Sequence, residues 1–299
     1  MPRPDAVSRS LLAIVNPEAG GGRAETKLRR LLRSSDLTER TSVEVATARS
    51  VEEICDALAR REEDVVPVAV GGDGTVNMVA MALDLLGQGG AVVGVLPLGT
   101  MNLVARELGL GSVRRALQAL TGQRTFPLDV MRTSHATTPL AITSLSAGFE
   151  GTFVARYQNL RRFGRPLGAV AGLAASGGRF APVMLELDGE VVAKTADRVF
   201  SAGLYNARHY PLRVVMSPDA DLSDGLGEGV VYHTGAAFWS TVAAGFRGGA
   251  HGERDGVTRR TWSTARLESE GPIQIDGESV EGGSISVRLE PGAFRVLVP

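Results

Sequence analysis

The chain has 299 residues, of which 43% are hydrophobic and 22% charged, which is typical of a globular protein with one large domain or two ordinary ones. The net charge of −1 gives no basic signal, so we expect no nucleic-acid partner. The single cysteine, Cys55, excludes an internal disulfide and fits a reducing compartment. Because neither a signal peptide nor a membrane-spanning run is recognisable, we expect a cytoplasmic protein.

Strand and helix patterns alternate over residues 10–130. Short runs rich in valine and leucine predict strands at Leu11–Val15, Ser42–Ala46, Val65–Val70 and Ala91–Leu96. Apolar residues at helical spacing predict helices at Arg23–Arg33, Val51–Arg61, Val76–Leu86, Met101–Leu108 and Val113–Leu120. Repeated strand–helix units predict parallel strands with helices on both faces, which is a doubly wound α/β domain.

Three turns rich in glycine or proline fall at the carboxyl ends of predicted strands. They are "NPEAGGGR" 16–23, "GGDGT" 71–75 and "PLGTMN" 97–102. Ligands of parallel sheets bind at this edge, and a glycine turn that opens a helix presents N–H groups to phosphate. Thr75 stands where the N-cap of the following helix is expected. The pattern therefore predicts a phosphate site built from three loops.

After about residue 130 the pattern changes to short alternating runs, which predict antiparallel strands. They are Leu140–Leu145, Val183–Leu187, Arg198–Leu204, Arg213–Met216 and Ser284–Arg288. Helical patterns intervene at Phe149–Gln158, Leu167–Ser176 and Ala236–Phe246. The dipeptides Asp188-Gly189 and Asp276-Gly277 are typical of hairpin turns. We expect a second, β-rich domain over residues 131–289, with a cleft between it and the α/β domain of residues 8–130.

Several familiar phosphate and metal motifs are missing from the sequence. There is no G-x-x-x-x-G-K-[ST] loop, and the dinucleotide pattern G-x-G-x-x-G fails at Asn77. The protein-kinase motifs and zinc-type H-E-x-x-H are also absent. The four histidines show no ligand spacing and are interpreted as structural or exposed: His135, His209, His233 and His251.

What is present is a resemblance to the diacylglycerol kinase catalytic-domain family, which includes bacterial lipid kinases, sphingosine kinases and ceramide kinases. It is carried by "NPEAGGG" 16–22, "GGDGTVN" 71–77, "PLGTMN" 97–102, "SLSAGFEGTFVARY" 144–157, "DADLSDGLGEGVVY" 219–232 and "IQIDGE" 273–278. The resemblance implies an NAD-kinase-like α/β N-terminal domain and a sandwich-like, β-rich C-terminal domain. It also implies ATP in the cleft and a final segment, 290–299, that returns to the N-terminal domain.

The resemblance also implies the site residues. The nucleotide contacts would be Asn16, Pro17, Glu18, Ala19, Gly20, Thr47, Gly71, Gly72, Gly74, Thr75, Asn77, Thr100 and Asn102. Glu278 would accept the proton of the attacking hydroxyl, and Asp73 would organise metal-bound water and the γ-phosphate; Asp73 is also the alternative proton acceptor. Mg²⁺ would bind in "DLSDGL" through the Asp224 carboxylate and the carbonyls of Asp221 and Leu226; the alternative is an Asp-Gly turn without metal.

The function expected from this resemblance is that of an ATP- and Mg²⁺-dependent kinase for a lipid hydroxyl, such as that of diacylglycerol, working in peripheral contact with a membrane. Two alternatives are an NAD kinase and a catalytically weak nucleotide- or lipid-binding homologue. The second is motivated by Met78 and Leu103, where the family often has glutamate and aspartate. The cluster Arg156, Arg161, Arg162 and Arg165 is a hypothetical lipid-docking surface or, alternatively, a solvated helix end. The resemblance also allows a homodimer.

Overall fold

The structure is a computed structural model that describes residues 9–34, 37, 41–160, 170, 173, 180–211, 214–248 and 254–299. The chain divides into two compact units. Unit 1 contains the residues up to Leu128 together with Gly292–Pro299, and unit 2 contains Asp129–Pro291. Among the described residues, no helix is long and apolar enough to cross a membrane.

The strands and helices are numbered in chain order. The strands are β1 Arg9–Val15, β2 Thr41–Thr47, β3 Val66–Gly71, β4 Val92–Pro97, β5 Thr125–Thr133, β6 Leu140–Ala141, β7 Ser144–Gly148, β8 Val183–Leu187, β9 Glu190–Ala193, β10 Ser201–Tyr205, β11 His209–Tyr210, β12 Val214–Val215, β13 Gly227–Tyr232, β14 Val257–Trp262, β15 Thr264–Ser269, β16 Ile273–Ile275, β17 Glu278–Val280 and β18 Gly283–Leu297. The helices are α1 Ala24–Ser34, α2 Val51–Ala59, α3 Asp73–Leu85, α4 Leu103–Glu107, α5 Val113–Thr121, α6 Phe149–Leu160 and α7 Gly235–Gly245.

Unit 1 is built on a parallel sheet in the order β2-β1-β3-β4. The end of β18 adds to it, because Arg295 and Val296 pair in parallel with Val92 and Val93. β3 and β4 are almost entirely buried, as expected for central strands covered on both faces. Since the strands are parallel, the loops that follow β1, β2, β3 and β4 all leave from one edge of the sheet. The α/β class predicted for this part of the chain is confirmed.

The described part of unit 2 contains two larger antiparallel sheets and a two-stranded one, β11-β12. One of the larger sheets has the order β14-β13-β10-β7-β16-β17, and the other is formed by β18, β15, β8 and β9. Their apolar faces share one core, in which Leu145 and Ile275 of the first sheet join Leu185, Leu267 and Ile285 of the second. Two sheets over a common core form a β-sandwich, so the predicted β-rich fold is confirmed.

The start of helix α3 differs from the prediction. α3 begins at Asp73 with Gly72 as its N-cap, so the prediction that Thr75 is the N-cap is wrong. The carbonyl of Gly72 already accepts the N–H groups of Thr75 and Val76, at 2.9 and 3.1 Å, which places Thr75 inside the first turn. The helix therefore begins three residues earlier than the side-chain pattern predicts.

Two predicted strands are also shorter than expected. The run Leu140–Leu145 is interrupted, because the N–H groups of Ile142 and Thr143 bind the carboxylate of Asp276 instead of a neighbouring strand. The strand predicted to begin at Arg198 begins at Ser201, since Arg198 has a left-handed φ of 47°. All but residues 170 and 173 of the helix predicted at Leu167–Ser176, and most of the arginine cluster, lie outside the described residues.

Candidate active site

The loops after β1, β3 and β4 pack against one another through glycine. The N–H groups of Leu98 and Gly99 both donate to the carbonyl of Gly71, at 2.9 and 2.8 Å. A Cβ atom at Gly99 would lie 2.3 Å from the Cα of Gly72, and one at Gly20 would lie 2.4 Å from the carbonyl oxygen of Leu98. Because only glycine permits these backbone approaches, the three loops form one continuous backbone surface in unit 1.

The first turn of α3 is open at Gly74. Gly74 is exposed, and a Cβ atom there would meet no atom within 4 Å. Thr75 and Asn77 are 3% and 8% exposed, so their side chains lie beneath the loop. The arrangement offers backbone N–H groups and a positive helix end to an anion. It therefore fits a phosphate that is held by main-chain N–H groups.

Asp73 connects the second loop to the third. Its Oδ1 atom accepts the N–H of Val104 at 2.9 Å, in the first turn of α4. Leu103, beside it, is only 8% exposed and belongs to the apolar core. The departure from the family pattern thus places a buried apolar side chain one residue before the amide that binds Asp73.

Most of the other predicted nucleotide contacts lie in the same three loops, whereas Thr47 ends β2. Asn16 accepts the N–H of Glu18 through its Oδ1 atom at 2.9 Å, and Thr47 and Thr100 are exposed at the ends of β2 and β4. Asn102 donates to the carbonyl of Gly99 at 3.1 Å. Its Oδ1 atom is buried and has no hydrogen-bond partner among the described residues.

In unit 2, Glu278 stands on a firmly anchored hairpin. The turn between β16 and β17 is Asp276-Gly277, both with left-handed φ, at 49° and 82°. The Asp276 carboxylate accepts four hydrogen bonds, from Ile142 N, Thr143 N, Thr143 Oγ1 and Ser144 N, at 2.7, 2.8, 2.7 and 3.1 Å. Glu278 begins β17, and its exposed carboxylate accepts Nε2 of Gln158 at 2.7 Å. A reactive carboxylate at this position would be both accessible and oriented.

The predicted metal turn is built from two Asx-type turns. Oδ1 of Asp221 accepts the N–H of Ser223 at 3.0 Å, and Oδ1 of Asp224 accepts the N–H of Leu226 at 2.9 Å. Asp224 and Leu226 are exposed. No group of three or more His, Cys, Asp or Glu with the arrangement of a metal site occurs among the described residues. The donors fit a hard cation held by one carboxylate, main-chain carbonyls and water, as Mg²⁺ often is.

Two fully buried residues link this turn to the hairpin of Glu278. Asp129 accepts the N–H of Gly225 and donates its own N–H to the carbonyl of Leu222, both at 2.7 Å. Asn206 donates from Nδ2 to the carbonyls of Asp129 and Ile142, at 3.0 and 2.9 Å. Ile142 in turn binds Asp276. The structure therefore joins the predicted metal turn and the predicted proton acceptor through one hydrogen-bond chain.

Helix α6, which carries Gln158, is anchored by a buried carboxyl group. Glu150 is 1% exposed and accepts hydrogen bonds from the hydroxyls of Ser201 and Tyr205, at 2.8 and 2.9 Å. Burial raises the pKa of Glu150, although these hydroxyl donors act in the opposite direction. The first turn of α6 is thereby fixed to β10.

Sequence reasoning did not identify Asp129, Asn206, Gln158 or Glu150 as site residues. A signal existed for Asp129, because it interrupts the apolar run of β5 and is fully buried. No local signal marked Asn206 or Gln158, since their partners are far away in the sequence.

Comparison with known proteins identifies the chain as a phosphotransferase that uses an alcohol group as acceptor. Residues 10–133 match the family model described as "Diacylglycerol kinase catalytic domain". A Pseudomonas aeruginosa PAO1 protein named "Probable lipid kinase YegS-like" is 30% identical over 78% of this chain and 76% of its own length. A Klebsiella pneumoniae (strain 342) protein of the same name is 29% identical over 94% of each chain.

The chain belongs to the diacylglycerol kinase catalytic-domain family, and the predicted resemblance is confirmed. The crystal structure of a diacylglycerol kinase from Bacillus anthracis str. Sterne has the same fold, with a TM-score of 0.70, 17% identity and 97% coverage of both chains.

Proposed function

We propose that this protein is an ATP- and Mg²⁺-dependent lipid kinase that transfers the γ-phosphate to a hydroxyl of a lipid such as diacylglycerol. The observation that carries the proposal is the glycine-built surface at the start of α3, with Asp73 in its first turn. The lipid acceptor is supported by the names of the relatives and by the resemblance at Glu278. The protein would act in peripheral contact with a membrane.

Each group has a separate role in the proposed reaction. Backbone N–H groups of the three loops hold the phosphates of ATP in line with the acceptor. Glu278 takes the proton of the lipid hydroxyl, and the oxygen of that hydroxyl bonds to the γ-phosphorus. The bond between the γ-phosphorus and the β–γ bridging oxygen breaks, which releases ADP. Mg²⁺ would neutralise phosphate charge, with Asp73 organising its water ligands and Asp224 holding a separate ion in unit 2.

Gln158 and Asp276 would keep Glu278 in position. Gln158 donates to both the Glu278 carboxylate, at 2.7 Å, and the Gly277 carbonyl, at 3.0 Å. Asp276 fixes the turn on the other side. Because misplacement of a reacting group by about 1 Å costs on the order of a hundredfold in rate, this support bears directly on kcat.

The test is transfer of labelled γ-phosphate from ATP to a panel of lipid alcohols in mixed micelles with Mg²⁺, with NAD as an additional acceptor. We expect a labelled lipid, and a loss of kcat of about 100-fold or more in Glu278→Gln and Asp73→Asn. Glu281→Gln is the matched control, since Glu281 is exposed a few residues further along the chain. It should keep wild-type kcat.

Three outcomes would contradict parts of the proposal. Labelled NADP⁺ alone would indicate an NAD kinase. Intact ATP binding without any labelled product would indicate a weak homologue, with Met78 and Leu103 as the first residues to restore. A full loss in Asp73→Asn with an active Glu278→Gln would make Asp73 the proton acceptor.

A further inference from the structure

Helix α7 has an exposed face without charge. Its inward residues include Phe238, Thr241 and Ala244, which are at most 5% exposed. The outward positions are Ala236, Trp239, Ser240, Ala243 and, directly after the helix, Phe246. Trp239 is 42% exposed and Phe246 58% exposed. Among α1–α7, α7 alone contains no ionisable side chain, whereas the exposed faces of soluble helices usually carry several.

Trp239 is held by a cluster of aromatic rings. Its ring contacts Phe149 and Phe238 edge-on, with centroids 5.4 and 5.1 Å apart. Phe149 begins α6, and an aromatic row continues along that helix through Phe153 to Tyr157, with 6.1 Å between successive rings. Tyr157 precedes Gln158, the partner of Glu278. An apolar path therefore connects the exposed tryptophan to the helix that orients the proposed proton acceptor.

Among the described residues, two arginines and one aspartate lie at the edge of this face. Arg247 is exposed directly after Phe246. Arg254 reaches back to the helix, where its Nη1 donates to the carbonyl of Ser240 at 3.4 Å. Asp255 follows Arg254 in the chain. It lies near the N-terminal end of α7, because the next residue, Gly256, packs near Thr234. Two guanidinium groups beside an apolar face complement an anionic lipid headgroup layer.

We propose that the face formed by Ala236, Trp239, Ala243 and Phe246 docks on an anionic lipid surface. Tryptophan and phenylalanine enter the interface between headgroups and acyl chains, where aromatic rings are favoured, and Arg247 and Arg254 contact phosphate groups. The inference rests on the proposed function, because a kinase for a membrane lipid must reach its acceptor at that surface. It assigns the contact to α7 and not to the arginine cluster Arg156, Arg161, Arg162 and Arg165.

The experiment uses tryptophan fluorescence of the full chain. The protein has two tryptophans, and Trp262 is fully buried, so Trp239 reports on the docking face. Vesicles of phosphatidylcholine with phosphatidic acid contain no free alcohol on the lipid, so binding is measured apart from turnover. We expect a blue shift on adding these vesicles. The variant Ala236→Asp/Phe246→Ser should bind them about tenfold more weakly or worse.

Controls separate this inference from the kinase assignment. Val191→Asp, at another exposed apolar position of unit 2, should leave vesicle binding unchanged. The α7 variant should keep wild-type kcat on a water-soluble short-chain diacylglycerol. Unchanged vesicle binding in the α7 variant would overturn the proposal while leaving the kinase assignment intact. Self-association through the same face, without vesicle binding, would equally overturn it in favour of a second copy of this chain.

Discussion

Replacing Asp276 with asparagine tests whether the Glu278 hairpin is held in place by hydrogen bonding. Asparagine tolerates the left-handed φ of 49° and keeps one carbonyl oxygen, so the turn itself survives. The second oxygen becomes an NH₂ group that faces a donor, the N–H of Ile142, which is 1% exposed. The change therefore removes part of a four-bond anchor without disturbing the chain direction.

The magnitude follows from the lost contacts. A hydrogen bond to a charged group contributes about 1.5–3 kcal/mol, and a buried donor left without a partner costs about 1–3 kcal/mol. Because the four bonds share one carboxylate, they are not additive, and we expect unit 2 to lose about 2–3 kcal/mol of unfolding free energy. Loosening of the hairpin should lower kcat by roughly 10- to 100-fold, while the KM for ATP stays unchanged.

Asp188 provides a matched control. It also begins an Asp-Gly turn, with φ 48°, and its carboxylate accepts the N–H and hydroxyl groups of Ser263 and Thr264 at 2.8–3.1 Å. Because Asp188 is exposed, Asp188→Asn should cost only about 1 kcal/mol and leave kcat unchanged.

Stability is followed in urea by the fluorescence of Trp239 and Trp262, both in unit 2, and kcat by labelled phosphate transfer. If Asp276→Asn keeps wild-type kcat, or if Asp188→Asn loses as much, the hairpin anchor has no specific part in catalysis.

Three further predictions concern the loops of unit 1 and the buried carboxyl of unit 2. Gly99→Ala should destabilise unit 1 by about 2 kcal/mol, because its Cβ would lie 2.3 Å from the Cα of Gly72. Gly74→Ala meets no atom within 4 Å, so it should keep the thermal stability of unit 1 but weaken ATP binding in calorimetry. Leu103→Asp should lower the melting temperature, because it puts a carboxylate at a position that is only 8% exposed, one residue before the amide that binds Asp73. An unchanged melting temperature would mean that this position admits water. Burial raises the pKa of Glu150, so its contribution to stability is fully present below the unfolded-state pKa of about 4.3 and is lost as pH rises toward the folded-state pKa. Glutamine at position 150 cannot ionise, so the stability of Glu150→Gln relative to wild type should increase as the pH rises above about 4.3. The increase, measured by urea unfolding, should be up to about 1.4 kcal/mol per pH unit. A stability difference that does not change with pH would refute the raised pKa of Glu150.

The alternating elements of unit 1 were predictable because their signals are local. The valine-rich runs predicted as strands and the regularly spaced apolar residues predicted as helices form those elements in the structure. Only the first and last residues of the elements differ from the prediction. The observed start of α3 differs from the predicted one because hydrogen bonds to the carbonyl of Gly72 form the first turn. Glycine has no side chain from which this start could be predicted.

The support of the candidate site was much less predictable. Asp276 and Glu278 were recognisable in the sequence, but the anchoring of Asp276 on Ile142 and Thr143 joins residues more than 130 positions apart. The same holds for Asn206, whose two acceptors lie on other elements. Such contacts depend on the pairing of strands in three dimensions, and no periodicity along the chain encodes them.

Strand β18 has a consequence for biosynthesis. Its first half pairs with β15 in unit 2, and Arg295 and Val296 complete the parallel sheet of unit 1 beside β4. While the chain is emerging from the ribosome, unit 1 is therefore translated almost entirely before the strand that covers the edge of β4 exists. Until then β4 presents an open, apolar edge, the kind of surface on which chaperones act and nascent chains aggregate. Completion of the first unit waits for synthesis of the second.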